Sequence, residues 1–222
     1  MTFAEDLQKQ GITVLKTIPE KAEGEVRMTV FCGSAYGNMP IFREIAEDMG
    51  KYCAENNLTV MCGGGRFGMM GALIRSTLEN GGKVVAASAE DVWKVESEAG
   101  FVTPETGELY NYLLPEYKSQ LSFVMAESLQ ERQDMLVECA DMYCALPGSR
   151  GTMFEFLQAI VQKSVSHSKK QIILVSPENL EYWQPLLDQF KVAFKYGFAK
   201  DDASHLFNVV DNVRKIAEIN KK

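Results

Sequence analysis

Histidine is nearly absent from this chain, and its cysteines show no metal-binding spacing. There are two histidines, His167 and His205, and five cysteines, no two of which form a CxxC pair. A zinc centre built from histidine and cysteine ligands is therefore not expected, and we predict no metal site. Cys32, Cys62 and Cys144 lie in apolar strand-like runs, and the cysteine count is odd. This pattern indicates buried free thiols of a reducing compartment rather than disulfides.

Positive charge is also scarce. The chain has 23 lysines and arginines against 30 acidic residues, a formal net charge of −7, and no block of basic residues. Such an acidic chain is a poor candidate for binding nucleic acid or an acidic membrane, and we expect neither partner. A local phosphate site is still compatible with this charge, because backbone amides and one or two arginines suffice for it.

Long apolar runs, a leader sequence and a P-loop are missing too. No run reaches the roughly 18 apolar residues that a membrane helix needs. Residues 1–10 have neither the basic nor the apolar stretch of a signal peptide, so we expect a cytoplasmic protein. No GxxxxGK(S/T) sequence occurs, which disfavours a P-loop ATPase.

The chain does contain a regular alternation of apolar strand-like runs, glycine turns and amphipathic helical stretches. Strands are predicted at residues 26–32, 58–62, 83–87, 142–146 and 171–175. Near-continuous apolar strands followed by helices are typical of a parallel sheet with right-handed crossovers. We therefore predict an α/β fold that is Rossmann-like and doubly wound, with a mainly parallel sheet and helices on both faces. The predicted domain spans residues 26–222 and follows an N-terminal arm at residues 1–25.

The helices are predicted from similar signals. One begins near Pro40, which suits a first helical turn, and another runs from about residue 67 to the Gly81-Gly82 stop. Further helices are predicted at residues 122–140, 156–165, 180–194 and 205–219. The arm is predicted to form a short helix at Phe3 and Leu7 that packs on the domain or on a partner subunit. The irregular, aromatic-rich stretch at about residues 88–121 is either a surface excursion or a lid or dimer segment.

Three glycine-rich turns follow predicted strands, at residues 33–37, 63–68 and 147–151. In open α/β sheets, ligands lie beyond the carboxyl ends of the strands, where glycine lets the backbone approach them closely. The third turn leads into a helix, whose N-terminus favours an anion through unpaired N–H groups and the helix dipole. Arg150 adds a cation there, Thr152 a hydroxyl, and Glu155 a carboxylate about one turn further on. The second turn resembles a dinucleotide fingerprint, but no acidic residue closes the next strand, which disfavours a nicotinamide cofactor.

Four segments together resemble the LONELY GUY (LOG) family of nucleoside 5′-monophosphate phosphoribohydrolases, also labelled possible lysine decarboxylases. VFCGS at residues 30–34, with Pro40, is similar to the family's opening strand and turn. CGGGRFGMMG at residues 62–71 resembles its GGGxxGLMG segment. Arg132, 15 residues before Pro147, lies where the family has MHxRK, and PGSRGTMFE at residues 147–155 resembles PGGxGTxxE. The resemblance extends from about residue 26 to residue 165.

This resemblance implies cleavage of the N-glycosidic bond of a nucleoside 5′-monophosphate, AMP or an N6-modified AMP of the cytokinin-precursor type. The products would be the free base and ribose 5-phosphate. It also implies a homodimer, no cofactor, and Arg132 and Glu155 as the catalytic residues. A carboxylate can stabilise an oxocarbenium-like sugar and orient water, while the arginine holds the phosphate or ribose or polarises the leaving group. The substrate- and phosphate-binding residues implied are Gly33, Ser34, Gly64, Gly65, Gly148, Ser149, Arg150, Gly151 and Thr152.

Several residues depart from the family pattern. Leu129-Gln130 replace its Met-His, Phe154 stands where many members have a second acid, and Ser149 and Gln133 bear most directly on the site. Ser149 stands at the second motif glycine, so either the backbone there is not in a glycine-only conformation or the turn is reshaped. Gln133 stands where the family has lysine, which removes a cation near the site. These departures leave open a non-catalytic carrier of a nucleotide or phosphorylated cofactor on the same fold. Lysine decarboxylation would require a lysine that binds pyridoxal phosphate, and no lysine stands at any of the glycine turns.

Overall fold

The computed structural model of the chain describes residues 13–92, 115–177 and 181–219. The strands are β1 (Val14–Leu15), β2 (Val26–Phe31), β3 (Leu58–Cys62), β4 (Val84–Ala89), β5 (Leu121–Ala126), β6 (Met142–Ala145), β7 (Gln171–Val175) and β8 (Asn208–Val210). The α-helices are α1 (Pro40–Glu55), α2 (Gly68–Glu79), α3 (Leu129–Glu138), α4 (Arg150–Ser166), α5 (Gln184–Lys195) and α6 (Ile216–Ile219). Short 3₁₀ turns occur at Pro115–Tyr117, Ser204–Leu206 and Val213–Lys215.

The eight strands form one sheet in the order β1-β5-β4-β3-β2-β6-β7-β8, and every neighbouring pair is parallel. From β2 the chain builds outward through β3 and β4, and it later returns to the other side of β2 at β6. The strand order thus reverses between β2 and β6, where doubly wound sheets bind their ligands. The predicted α/β, Rossmann-like, doubly wound fold is confirmed.

Both faces of the sheet are buried beneath helices. Met28 and Val30 of β2 pack on one face together with Met49 of α1 and Leu73 of α2. Phe31 of the same strand packs on the opposite face, in the cluster that also contains residues of α3 and α4. This two-sided burial explains why the strands read as nearly continuous apolar runs instead of alternating ones.

Most predicted elements are confirmed, with boundaries shifted by up to two residues at strand ends. The strands predicted at residues 26–32, 58–62, 83–87, 142–146 and 171–175 correspond to β2, β3, β4, β6 and β7. Helix α1 starts at Pro40, and α2 stops before Gly81, whose φ of +79° lies in the left-handed region. Glycine adopts that conformation without steric cost, which is why it ends helices so often.

The helix predicted at residues 122–140 is wrong in its first part. Residues Leu121–Ala126 form β5, which pairs with β4 on one side and β1 on the other. Helix α3 begins only at Leu129, because the Ser128 side chain caps it by accepting the Glu131 N–H at 3.1 Å. This Ser-x-x-Glu pattern is a helix-start signal, and it places the boundary after the strand. The irregular stretch therefore ends at β5, and its residues 93–114 lie outside the described part of the chain.

The closing helix predicted at residues 205–219 is also wrong. Two 3₁₀ turns, strand β8 and the short helix α6 occupy this stretch instead. β8 adds to the sheet edge beside β7, with Val209 opposite Leu174. Its β-branched residues suit a strand, and the Asn212 side chain caps the next turn by accepting the Lys215 N–H at 3.3 Å. The helix predicted at residues 180–194 begins at Gln184, and residues 178–180 are outside the described ranges.

At the N-terminus, the structure contains an edge strand that the sequence patterns did not predict. β1 pairs with β5 through Val14 opposite Phe123 and Leu15 opposite Val124. The helix predicted around Phe3 and Leu7 falls outside the described residues. In the ranges that are described, no helix has the length and apolar character needed to cross a bilayer.

The cysteines are free thiols, as predicted. Cys32, Cys53, Cys62 and Cys144 are buried, and Cys139 is half-buried. Burial raises the pKa of Cys53 and of Cys62 to about 12, so both remain protonated at neutral pH. These side chains therefore behave as small apolar core residues rather than as nucleophiles.

Candidate active site

The glycine turns after β2, β3 and β6 meet at the carboxyl ends of the strands. The Gly33 N–H donates to the Pro147 carbonyl at 3.2 Å, which joins the turn after β2 to the turn after β6. The Gly33 carbonyl accepts the Met70 N–H at 3.2 Å, which joins the first of these turns to α2. A Cβ on Gly68 would overlap the Ser34 carbonyl, so the turn after β3 also needs glycine for this close approach. The three turns predicted separately thus form one continuous surface.

The turn after β6 leads into the N-terminus of α4. The first intrahelical hydrogen bond runs from the Met153 N–H to the Ser149 carbonyl at 3.1 Å. The N–H groups of Arg150, Gly151 and Thr152 therefore have no partner within the helix, the arrangement that binds anions. Arg150 and Gly151 are exposed, whereas Thr152 is buried. We call residues 147–152 the phosphate cradle.

Ser149 fits the cradle with ordinary backbone geometry. Its φ of −96° and ψ of −158° are extended values that any residue adopts. Of the two alternatives for this departure from the family pattern, the structure therefore favours a backbone that does not require glycine. The Ser149 side chain is exposed and makes no capping hydrogen bond to α4.

Gly148 is the cradle position that does require glycine. A Cβ at this residue would overlap Thr152 Oγ1 and would lie 2.8 Å from the Gly33 nitrogen. Backbone from two turns and the Thr152 side chain therefore converge where the side chain would be. Gly151, in contrast, has open space around its α-carbon.

Arg132 and Glu155 form a buried ion pair beside the cradle. Arg132 Nη1 and Glu155 Oε1 are 3.4 Å apart, and the two residues are 6% and 7% exposed. Arg132 Nε also donates to the Ala87 carbonyl of β4 at 3.0 Å, which fixes the guanidinium over the sheet. Burial raises the pKa of Glu155, and the charge and hydrogen bond of Arg132 oppose that rise. Arg132 and Glu155 are 23 positions apart in the sequence, and the structure brings their side chains into contact, as a joint role in catalysis would require.

Gly63 makes room for this ion pair, and sequence reasoning did not single it out. A Cβ on Gly63 would lie 1.9 Å from Arg132 Nη2 and 3.1 Å from Arg132 Cζ. The guanidinium therefore lies against the α-carbon of Gly63, where any larger residue would displace it. The signal available in the sequence was the first glycine of GGG directly after a strand.

Gly64 and Gly65, which were predicted to bind substrate, are buried within the turn after β3. Gly64 has a φ of +76° and packs against Ala86 and Phe123. The Gly65 N–H points to Met70 Sδ at 3.0 Å. The structure gives these glycines a role in shaping the turn, and substrate binding by them remains a prediction.

A cavity of about 350 Å³ opens beside the cradle on the side of the turn after β2. Its aromatic wall consists of Tyr36, Phe42 and Tyr182, and the remaining lining residues are Gly33, Ser34, Ala35, Gly37, Met69, Pro147, Gly148 and Ser149. The predicted residues Gly33, Ser34, Gly148 and Ser149 are thus brought together around one space. The aromatic wall was not predicted: Tyr36 was visible in the first glycine turn, but Phe42 and Tyr182 carry no local signal.

Gln133, another departure from the family pattern, follows Arg132 on α3. Its side chain is buried, and its Oε1 has no hydrogen-bond partner among the residues that the structure describes. A lysine at this position would place a cation in the same buried environment, which glutamine avoids. Within the described ranges, no group of three or more His, Cys, Asp or Glu side chains is placed to hold a metal ion.

Comparison with known proteins gives a matching family model and several sequence relatives. A family model described as possible lysine decarboxylase matches residues 70–219. A probable cytokinin riboside 5′-monophosphate phosphoribohydrolase of Oryza sativa subsp. japonica is 32% identical over 193 residues, 85% of this chain and 74% of that protein. A cytokinin riboside 5′-monophosphate phosphoribohydrolase of Rhodococcoides fascians is 28% identical over 171 residues, 77% of each chain.

Solved structures share the fold at lower sequence identity. The molybdenum cofactor carrier protein of Chlamydomonas reinhardtii superposes with a TM-score of 0.58 at 16% identity, covering 89% of this chain and 97% of that one. The molybdenum cofactor binding protein of Rippkaea orientalis gives a TM-score of 0.57 at 15% identity, with coverages of 90% and 98%. At such identities the likeness shows a common fold and no more.

Proposed function

Because the chain belongs to the LONELY GUY family, whose model is described as possible lysine decarboxylase, we propose that it hydrolyses the N-glycosidic bond of a nucleoside 5′-monophosphate. The products are the free base and ribose 5-phosphate. The observation that carries this proposal is the buried pair of Arg132 and Glu155 beside the N-terminus of α4. Both residues lie within the stretch that the family model matches.

The 5′-phosphate binds at the cradle. The unpaired N–H groups of the first turn of α4 point out of the helix end, and the helix dipole adds partial positive charge there. Arg150 supplies a full charge from an exposed position, and Ser149 an exposed hydroxyl. A dianionic phosphate held this way fixes the ribose relative to α4, on which Glu155 is also located.

Glu155 acts on the ribose as its bond to the base breaks. The base departs with the electron pair of the bond, which leaves positive charge on the sugar ring, and the carboxylate stabilises that charge. A water molecule then attacks C1′ and leaves its hydroxyl bonded there. The proton that the water loses neutralises the departing base. A carboxylate in a buried site is effective here because little solvent screens it.

Arg132 favours the carboxylate form of Glu155, which this reaction needs. Burial favours the protonated carboxyl, whereas the adjacent guanidinium favours the carboxylate. Arg132 donates to the Ala87 carbonyl, and its guanidinium fits against the α-carbon of Gly63. Its position therefore does not depend on the ligand. Its remaining N–H groups are available to the ribose or to the leaving base.

The direct test is release of free base from AMP, other monophosphates and an N6-prenylated AMP. Glu155→Gln should abolish turnover while ribose 5-phosphate still binds, because the cradle is intact. Glu79→Gln is a matched control on α2, where the side chain is exposed and no role is proposed. Folded wild-type protein that releases no base from any of these substrates would refute the proposal.

The aromatic wall of the cavity supports a substrate base that carries an apolar group. Phe42 and Tyr182 lie edge to face with ring centroids 6.3 Å apart, beside the cradle. The Oryza and Rhodococcoides relatives are named for cytokinin riboside 5′-monophosphates, which fits such a lining. We therefore propose N6-modified AMP as the preferred substrate over AMP. A higher kcat/KM for AMP than for its N6-prenylated form would contradict this preference.

A carrier of a nucleotide or phosphorylated cofactor is the second candidate. The observation in its favour is the fold shared with the molybdenum cofactor carrier protein of Chlamydomonas reinhardtii. A carrier needs the cradle and the cavity but has no use for a buried carboxylate with a raised pKa beside them. Retention of a phosphorylated ligand through purification, with no base released from any monophosphate, would favour the carrier.

Lysine decarboxylation, which the description of the family model suggests, is not supported by the site. That reaction needs a lysine that forms a Schiff base with pyridoxal phosphate. None of the residues lining the cavity beside the cradle is a lysine. Visible absorbance of bound pyridoxal phosphate after incubation with the protein would overturn this conclusion.

We also propose that the chain forms a homodimer through the outer face of α4. Phe154, Leu157, Val161 and Val165 recur at three- and four-residue spacing, which places them along one side of the helix. Phe154, Val161 and Val165 are 50%, 60% and 76% exposed. Together with Gln130 of α3 they line an apolar groove of about 620 Å³. A second copy of α4 would cover this apolar face.

Light scattering on the purified protein tests the dimer. Val161→Glu should give monomers, because it buries a charge in the proposed interface. Val209→Glu is the matched control, since Val209 is an exposed valine on β8 at the edge of the sheet. A wild-type monomer, or a Val161→Glu protein with the mass of a dimer, would contradict this interface.

A further inference from the structure

Tyr182 lies between β7 and α5, and its hydroxyl reaches the cradle. The hydroxyl donates to the Gly148 carbonyl and accepts the Gly148 N–H at 3.3 Å. We propose that Tyr182 is a positioning residue that holds the backbone N–H and carbonyl of Gly148 in the orientation the cradle needs to bind a phosphate group. This inference rests on the proposed function for the place of the phosphate, and no family motif points to Tyr182.

Tyr182 is itself fixed by packing on both sides. Its ring meets Trp183 edge to face at a centroid distance of 5.2 Å and Phe42 edge to face at 6.3 Å. Trp183 is buried, and its Nε1 donates to the Val175 carbonyl at the end of β7 at 3.0 Å. The hydroxyl is therefore placed by the sheet on one side and by α1 on the other. Aromatic rings held in this way lose little further freedom when a ligand binds.

Gly148 is the cradle residue whose backbone most needs a hydrogen bond from outside the turn. It has no side chain of its own, and glycine samples more backbone conformations than any other residue. In the described part of the chain, the side chain hydrogen-bonded to the Gly148 peptide is that of Tyr182. The neighbouring Ser149 side chain does not cap α4, so it does not order the turn.

The hydroxyl therefore pre-orders the turn before a ligand arrives. The phosphate binds the free N–H groups of Arg150, Gly151 and Thr152, while the Gly148 peptide stays with Tyr182. Without the hydroxyl, the Gly33 N–H still holds the Pro147 carbonyl, but the Gly148 backbone is less ordered before binding, which weakens affinity. Bond cleavage at C1′ is assigned to Glu155, whereas the Tyr182 hydroxyl is hydrogen-bonded to Gly148, so loss of the hydroxyl should hardly change the rate of the bound complex.

Tyr182→Phe removes the hydroxyl and keeps the ring. The probes are ribose 5-phosphate and inorganic phosphate, titrated by calorimetry, which needs no turnover. Loss of a hydrogen bond of this kind should raise the Kd of both probes about fivefold to twentyfold. With a monophosphate substrate, KM should rise by a similar factor, and kcat should stay within about twofold.

Tyr143→Phe is the matched control. The Tyr143 hydroxyl also donates to a backbone carbonyl, that of Val137, but in the core on the α3 side. Tyr143→Phe should therefore lower thermal stability with no change in the Kd of either probe. Tyr182→Phe should show the opposite pattern, a changed Kd with a Tm close to that of the wild type.

Several results would overturn the inference. Wild-type affinity for both probes in Tyr182→Phe removes the positioning role. An equal loss of affinity in Tyr143→Phe shows a general structural effect, and a fall in kcat with unchanged KM shows that Tyr182 acts in the chemical step. If the wild type binds ribose 5-phosphate but hydrolyses no monophosphate, the proposed function fails while the binding comparison still decides the role of Tyr182. If the wild type binds neither probe, there is no phosphate cradle and the inference falls with it.

Discussion

Replacing Gly63 by alanine tests whether the position of the Arg132 guanidinium determines activity. The new Cβ would lie 1.9 Å from Arg132 Nη2, whereas ordinary contacts begin at 3.4 Å, so the guanidinium must move by about 1.5 Å. Arg132 Nη1 is already 3.4 Å from Glu155 Oε1, and a shift of this size breaks the pair. A misplacement of about 1 Å in a catalytic group costs roughly 100-fold in rate, so kcat should fall by about that factor or more.

The same substitution should lower stability through the broken ion pair without preventing the chain from folding. Gly63 is not among the glycines with positive φ, so alanine fits the backbone. The atoms in its way are at the far end of a flexible side chain rather than in the backbone. The smaller unfolded-state entropy of alanine also favours folding by about 0.4–1 kcal/mol, which offsets part of the cost of moving Arg132.

The assay compares base release and thermal unfolding for Gly63→Ala and a second variant, Gly81→Ala. Gly81 ends α2 with a φ of +79° and has open space around it. Alanine there strains the backbone by about 1 kcal/mol, so this control should lose stability and keep its turnover. A wild-type kcat in Gly63→Ala would refute the reasoning. So would a loss of activity that is fully explained by the fraction of Gly63→Ala protein unfolded at the assay temperature.

Three further predictions concern the site and the helices around it. Since burial raises the pKa of Glu155 more than Arg132 lowers it, kcat/KM should fall on the acid side with an apparent pKa higher than that of an exposed glutamate. An acid limb at the ordinary glutamate pKa would contradict this. Ser149→Gly should change the free energy of unfolding by less than about 0.5 kcal/mol in denaturant titrations, because the serine makes no capping bond, and a larger loss would reveal a capping role. Ser128→Ala should cost about 1 kcal/mol in the same titration, because it removes the N-cap of the helix that carries Arg132; unchanged stability would show that the cap contributes nothing.

The parts of the fold that could be predicted are those with strong local signals. Apolar runs ending in glycine identified β2, β3 and β6, and Pro40 and Gly81 marked the ends of helices. The errors at β5 and β8 arose where the local signal was ambiguous. Residues 121–126 contain apolar residues at a spacing that a helix also allows, and it is pairing with β4 and β1 that makes them a strand.

The candidate site shows the same division. The pairing of Arg132 with Glu155 was predicted from a family resemblance, and the structure places the two side chains in contact, although their catalytic roles remain to be tested. Gly63 and Tyr182 were not predicted for the site. Each acts through a residue distant in sequence, Arg132 for Gly63 and Gly148 for Tyr182, so no local pattern marks it.

The sequence by itself determined that the segments of β2, β3, β4, β6 and β7 form parallel strands, where glycine follows them, and which helix begins with a turn suited to an anion. These properties follow from hydrophobic periodicity and backbone freedom, which act over a few residues. The tertiary structure decided that the turns after β2, β3 and β6 touch, and that Ser149 sits in an ordinary backbone conformation. It also decided that Arg132 lies against Gly63 and that the Tyr182 hydroxyl bonds to Gly148. Those contacts join residues far apart in the chain, and they exist because β3, β2, β6 and β7 are neighbours in the sheet, with the strand order reversing between β2 and β6.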